Sequence, residues 1–245
     1  MNLVNLLALI IPVFLGWIFI RRFKARLNSH DPKVMVNSFI LAIIPVIPAM
    51  VIKYTASEFR FDENTLDTLF GKIGYGLFLG VLFELLKYMV IVAYSFRQRE
   101  FDEPLAGILI TLMIGLGFTF GENAWYILSG SEFYSGTWRL LISIPAALAC
   151  ATTMGFYAGL SKYGFDTDDV GSFGLRMRGL GTAILFQSFY NFFLNMKEYK
   201  DLVGLIVIGT IAISGLLTWN IFRARRLHTR LIYSRKRREK TWGLS

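Results

Sequence analysis

Histidine and cysteine are nearly absent from this chain. It holds two histidines, His30 and His228, both in basic stretches, and one cysteine, Cys150, inside an apolar run. One cysteine excludes an internal disulfide, and no histidine lies in any apolar run to activate its thiol as a nucleophile. Cys150 is therefore expected to pack as a small hydrophobe. Internal repeats are lacking, as are low-complexity segments apart from the basic C-terminal stretch. Signal-peptide features are missing too. The positive charges follow the first apolar run instead of preceding it, and no small-residue cleavage site appears, so that run is expected to be retained.

What the chain has in quantity is apolar sequence. Hydrophobic residues make up 54% of it, gathered in runs long enough to cross a hydrocarbon core of ~30 Å. That pattern predicts an all-α, polytopic membrane bundle of about seven transmembrane helices. The expected spans are Leu3–Ile20, about Val34–Ile52, about Lys72–Tyr94, about Pro104–Leu128, Arg139–Leu160, about Leu175–Leu194 and Leu202–Phe222. Pro45 and Pro48 should kink the second. Between the second and third spans, Glu58, Asp62, Glu63 and Asp67 alternate with Phe59, Phe61, Leu66 and Phe70, the pattern of a short interfacial segment.

Charge gives the orientation. Nineteen Lys/Arg fall in the first, third and fifth loops and the C-terminal stretch, and six fall on the opposite side. The positive-inside bias then places the N-terminus outside and the C-terminus in the cytoplasm, which an odd number of spans permits. Residues 1–222 read as the transmembrane domain and 223–245 as a basic cytoplasmic tail. The tail holds nine Lys/Arg against one Glu, leaving the rest of the chain near neutral. Such a cluster beside a membrane suits anionic lipid headgroups, at ~1 kcal/mol per basic side chain. Nucleic acid is not expected as a partner, since no nucleic-acid-binding fold accompanies the tail. A bacterial-type inner membrane fits the whole pattern.

Ionisable groups inside the spans are few and therefore informative. One near mid-bilayer carries an insertion penalty of roughly 2.5–3.5 kcal/mol and usually faces a bundle interior or a water-filled cavity. Glu84 and Lys87 lie in the third span; Glu122 and Asn123 lie in the fourth, in the run Leu116 to Tyr126. Gly76, Gly80 and Glu84 recur every four residues, so the glycines should bring the face carrying Glu84 against a neighbouring helix. Gly117 and Gly121 make a similar face beside Glu122. The fifth span repeats Ala147, Ala151, Gly155 and Gly159 as a small-residue seam. The sixth carries Ala183, Gln187, Asn191 and Asn195 as a polar stripe. Measured from the outer ends of their spans at 1.5 Å per residue, Glu84, Glu122 and Gln187 lie ~18, ~9 and ~11 Å deep, compatible with one shared site in the outer half of the membrane. The plainer account is that Glu84 and Lys87 form an i,i+3 ion pair that eases insertion, and that the stripe makes interhelical hydrogen bonds. A transporter using these residues would be expected to show discontinuous helices or inverted repeats, and neither is seen.

The ordered set Phe83-Glu84-Leu85-Leu86-Lys87, Gly117-Phe118-Thr119-Phe120-Gly121-Glu122-Asn123, Arg139 with Pro145, Gly155-Phe156-Tyr157-Ala158-Gly159 and Gln187-Ser188-Phe189-Tyr190-Asn191 resembles the PrsW family of intramembrane proteases. That family is related to the CAAX prenyl proteases. The resemblance covers about residues 72–195 and is most specific at Glu122-Asn123. It implies cleavage of membrane-anchored proteins near the outer face, by carboxylates working with two histidines. Here the first glutamate of the family's pair is Phe83, and the two histidine positions are Ala147 and Gln187. Zinc would require Glu84 and Glu122 to coordinate without histidine, so no cofactor is expected.

Two functional expectations follow. The first is a catalytically silent relative that binds a membrane protein or lipid partner, with Lys87, Asn123, Gln187 and Asn191 as recognition groups. The alternative is an active protease in which Glu84 is the general base, Glu122 the second carboxylate, and Asn123 and Asn191 donors to the oxyanion.

Overall fold

The computed structural model describes residues 3–26, 31–59, 65–66, 68–101, 104–129, 136–163 and 171–194, with positions 215, 219, 220, 222, 223 and 226 beyond them. Side chains are described for these residues except 4, 22–26, 136–142, 163 and 194. Regular structure among them is entirely helical. Helix α1 spans Leu3–Arg26, α2 Lys33–Leu41, α3 Val46–Phe59, α4 Leu69–Ala93, α5 Pro104–Leu128, α6 Gly136–Tyr163 and α7 Gly171–Leu194; a 3-10 turn, Ser95–Arg97, follows α4. All but four positions of the seventh expected span, most of the interfacial segment, Asn195, the side chain of Arg139 and all but two positions of the basic tail lie outside the described residues.

Four stretches among the described residues are long and apolar enough to cross a membrane: Lys33–Phe59, Leu69–Arg97, Pro104–Leu128 and Ser143–Lys162. Helix α1 carries a shorter apolar stretch, Asn5–Arg21. The second span is irregular where a kink was expected, and the irregularity divides it into α2 and α3. Proline has no amide hydrogen to give, so the ladder fails at Pro45 and the chain turns through residues 42–45 on i→i+3 bonds such as Val46 N–H to Ile43 O. Pro48 is tolerated because it falls in the first turn of α3, where no intrahelical donor is required.

Helix α5 is the centre of the bundle and is buried along nearly all its length. It packs against α1, α2 and α6, while α7 packs against α4 and α6. Small residues set these approaches. A Cβ added at Gly155 of α6 would lie 2.0 Å from Thr111 Oγ1 and 2.6 Å from the Gly107 carbonyl of α5. Thr111 in turn donates across the seam to the Ala151 carbonyl at 2.8 Å. On the other side, a Cβ at Gly80 of α4 would lie 2.1 Å from Ser188 Oγ of α7. The glycine face of α4 thus meets protein, as the four-residue spacing predicted.

The basic loops gather at one end. Asn37 donates to the Tyr94 hydroxyl at 2.9 Å, Ser38 and Ser95 share a hydrogen bond of 2.9 Å, and the Lys162 ammonium donates to the carbonyls of Phe96 and Gln98 at 2.7 and 2.6 Å. At the other end Lys53 donates to the Tyr126 hydroxyl.

Candidate functional site

Helices α4, α5, α6 and α7 enclose a small cavity of about 10 Å³, room for about one water. Its walls are Phe83 and Lys87 from α4, Phe118, Thr119 and Glu122 from α5, Ser143 and Ala147 from α6, and Gln187 and Tyr190 from α7. Glu84 is completely buried and accepts a hydrogen bond from the Lys87 ammonium through Oε1. The ammonium also lies 5.3 Å from the centre of the Phe118 ring, which itself packs against Phe83 at 5.6 Å between centroids. The glycines of α4 bring this turn against α7, and the Ala147–Ala151 seam brings α6 against Gly115 of α5. Glu122 and Gln187, far apart in sequence, therefore face the same space.

Of the three groups that spacing expected at one site, Glu122 and Gln187 line this cavity together with Lys87 and Ala147, while Glu84 lies outside the lining and is bonded to Lys87. Asn123 and Asn191 are buried but do not line it. The position of Asn123 has a local cause. Pro12 cannot donate to the carbonyl of Ala8, four residues earlier in α1, and Asn123 Nδ2 donates to that carbonyl at 2.9 Å instead. Its side chain ties α1 to α5.

Several cavity groups lay one helical turn from residues already singled out: Ser143 four before Ala147, Thr119 three before Glu122, and Tyr190 three after Gln187. Their signal was helical spacing alone. Ser143 Oγ and Glu84 Oε2 are buried with no hydrogen-bond partner. Cys150 is fully buried on the same face of α6, with Sγ 3.5 Å from the Ala183 carbonyl and 3.9 Å from Gln187 Oε1. The polar groups facing the cavity are thus one carboxylate, one carboxamide, three hydroxyls and an ammonium. Among the described residues no group of three or more His, Cys, Asp or Glu is placed to hold a metal ion.

Comparison of the sequence with known proteins finds relatives among membrane proteases. The family profile described as PrsW family intramembrane metalloprotease matches residues 30–217. A Protease PrsW from Clostridioides difficile (strain 630) is 28% identical over 214 residues, covering 86% of this chain and 87% of that protein. One from Shouchella clausii is 26% identical over 189 residues, covering 77% and 82%. One from Oceanobacillus iheyensis is 27% identical over 129 residues, covering 52% and 56%. No solved structure shows a significant match.

Proposed function

The chain belongs to the PrsW family of intramembrane metalloproteases, and from that premise we propose that this member keeps the membrane scaffold without the hydrolytic chemistry. It serves as a membrane-embedded binding protein for another membrane protein or a lipid. The observation that carries the reading is the Lys87 ammonium bonded to Glu84 at the edge of a cavity with room for about one water.

The family description implies a metal, and the residues present do not fit one. Catalytic zinc is held by three protein ligands drawn from His, Cys and carboxylate, with a further position left open for water. Ala147 offers no donor, Gln187 offers a neutral amide oxygen, and the Lys87 ammonium has no lone pair to give. Among the described residues Glu122 is the one carboxylate that lines the cavity, and Phe83 and Phe118 line it with apolar rings. A carboxylate held by an ammonium is also a poor acceptor for the proton of an attacking water. Polar groups buried this completely present no face to a partner, so partner recognition falls to the outer surfaces. The basic stretch 223–245 supports cytoplasmic placement of the C-terminus and contact with anionic lipids, and the bacterial relatives support an inner-membrane setting.

The test is cleavage of single-span substrates in proteoliposomes, with and without zinc, by wild type, Glu84→Gln, Glu122→Gln and the double variant Ala147→His/Gln187→His. The expected result is no cleavage by the natural chain and gained cleavage in the histidine variant. Cleavage by the natural chain that Glu122→Gln abolishes would establish the active alternative.

A further inference from the structure

We propose that the break between α2 and α3 forms a binding site for one anionic phospholipid. The α2–α3 turn and the second half of α4 enclose an apolar groove of about 450 Å³, within the size range of small-molecule sites. Ile44, Pro45 and Pro48 form one wall and Leu86, Met89 and Ala93 the other. The groove exists because Pro45 interrupts the helix there, so the α2–α3 segment cannot lie as a straight rod along α4.

One end of the groove changes character. Tyr94 is its last wall residue, and its hydroxyl accepts from Asn37 of α2 at 2.9 Å. Lys33 stands one helical turn before Asn37, and Arg97 one turn after Tyr94, with its amide bonded to the Tyr94 carbonyl at 3.1 Å. Both basic residues are exposed. An apolar slot whose last wall residue lies within one helical turn of Arg97, and is bonded to a residue one turn from Lys33, matches an acyl chain that ends in an anionic headgroup. Basic pockets between helices at the cytoplasmic side of membrane proteins bind such headgroups.

The walls also disfavour a docked helix. Close helix association in a membrane relies on small residues, and here Ala93 is the one small residue among branched, thioether, proline and aromatic wall side chains. The glycine faces at Gly80, Gly107 and Gly155 are already used inside the bundle. A flexible acyl chain conforms to bulky walls, whereas a rigid helix does not. This groove is separate from the polar cavity, so the inference stands whether or not that cavity is hydrolytic.

The experiment uses the full chain in detergent micelles doped with phosphatidylglycerol or phosphatidylcholine, with retained lipid read by native mass spectrometry. Phosphatidylglycerol is expected to be retained by the natural chain in preference to phosphatidylcholine. Retention should fall about thirtyfold in Lys33→Gln/Arg97→Gln, the equivalent of losing two basic headgroup contacts. Ala93→Trp, which fills the groove and leaves both cations, should also abolish it. Helical content by circular dichroism should stay unchanged in both variants. The proposal is overturned if the natural chain retains neither lipid or shows no preference, or if retention survives both groove variants. Loss that instead follows neutralisation of Arg235, Lys236, Arg237 and Arg238 assigns the binding to the tail and overturns it equally. So does a photo-crosslinker at Met89 that captures a polypeptide in place of lipid.

Discussion

The α5–α6 and α4–α7 interfaces are built from the same material and arranged to different ends. Each brings two helices together over glycine, and each has a hydroxyl at the crossing, Thr111 in one and Ser188 in the other. At α5–α6 the hydroxyl bridges the helices through the Ala151 carbonyl and the neighbouring packing is apolar. At α4–α7 the next turn holds the ion pair of Glu84 and Lys87, fully enclosed. The difference teaches that small residues bring these helices together and polar residues are not required for it. The charges on α4 therefore call for a separate explanation, and the function proposed above offers one.

That contrast can be broken most forcefully at Lys87. Lys87→Met leaves Glu84 buried without its cation and should lower stability by ~3–5 kcal/mol, whereas Glu84→Leu/Lys87→Met should recover most of the loss. Unfolding in mixed micelles reads both, and a stable single variant would show that the pair is not the charge-compensated unit described here. The α5–α6 seam should fail for a steric reason instead. Gly155→Ala places its Cβ against Thr111 Oγ1 and the Gly107 carbonyl, with an expected loss of about 3 kcal/mol. Gly181→Ala, where nothing lies within 4 Å, should change stability by about 1 kcal/mol or less, in the stabilising direction. Equal effects at the two glycines, by the same unfolding assay, would contradict the packing account.

A smaller effect sharpens the comparison at α1. Asn123→Ala leaves the Ala8 carbonyl without a donor and should destabilise by ~1–3 kcal/mol. In a Pro12→Ala background the backbone amide returns and the same substitution should do much less. A double-mutant cycle measures the coupling, and additivity would show that Asn123 has some other role.

Much of this was legible in the sequence because four-residue spacing reports a helix face directly. Gly76, Gly80 and Glu84 told which side of α4 meets protein, and Glu122 and Gln187 were expected at one site and share one. The turn at residues 42–45 was less legible, since a proline pair within an apolar run is compatible with a kink or with two helices. Asn123 was harder still. Its partner is a carbonyl freed by a proline more than a hundred residues away, and no local pattern records that pairing. The role of Ser143 was hidden because a serine in an apolar helix usually bonds to its own backbone.

The central claim is that the cavity no longer holds the metal its family description implies. The most direct measurement is zinc content per chain, by elemental analysis of the purified protein after zinc loading and dialysis, for the natural chain, Glu122→Gln and Ala147→His/Gln187→His. The account predicts substoichiometric zinc in the natural chain, unchanged by Glu122→Gln, and added zinc in the histidine variant. One zinc per natural chain, lost on Glu122→Gln, would contradict it and restore this protein to the working metalloproteases.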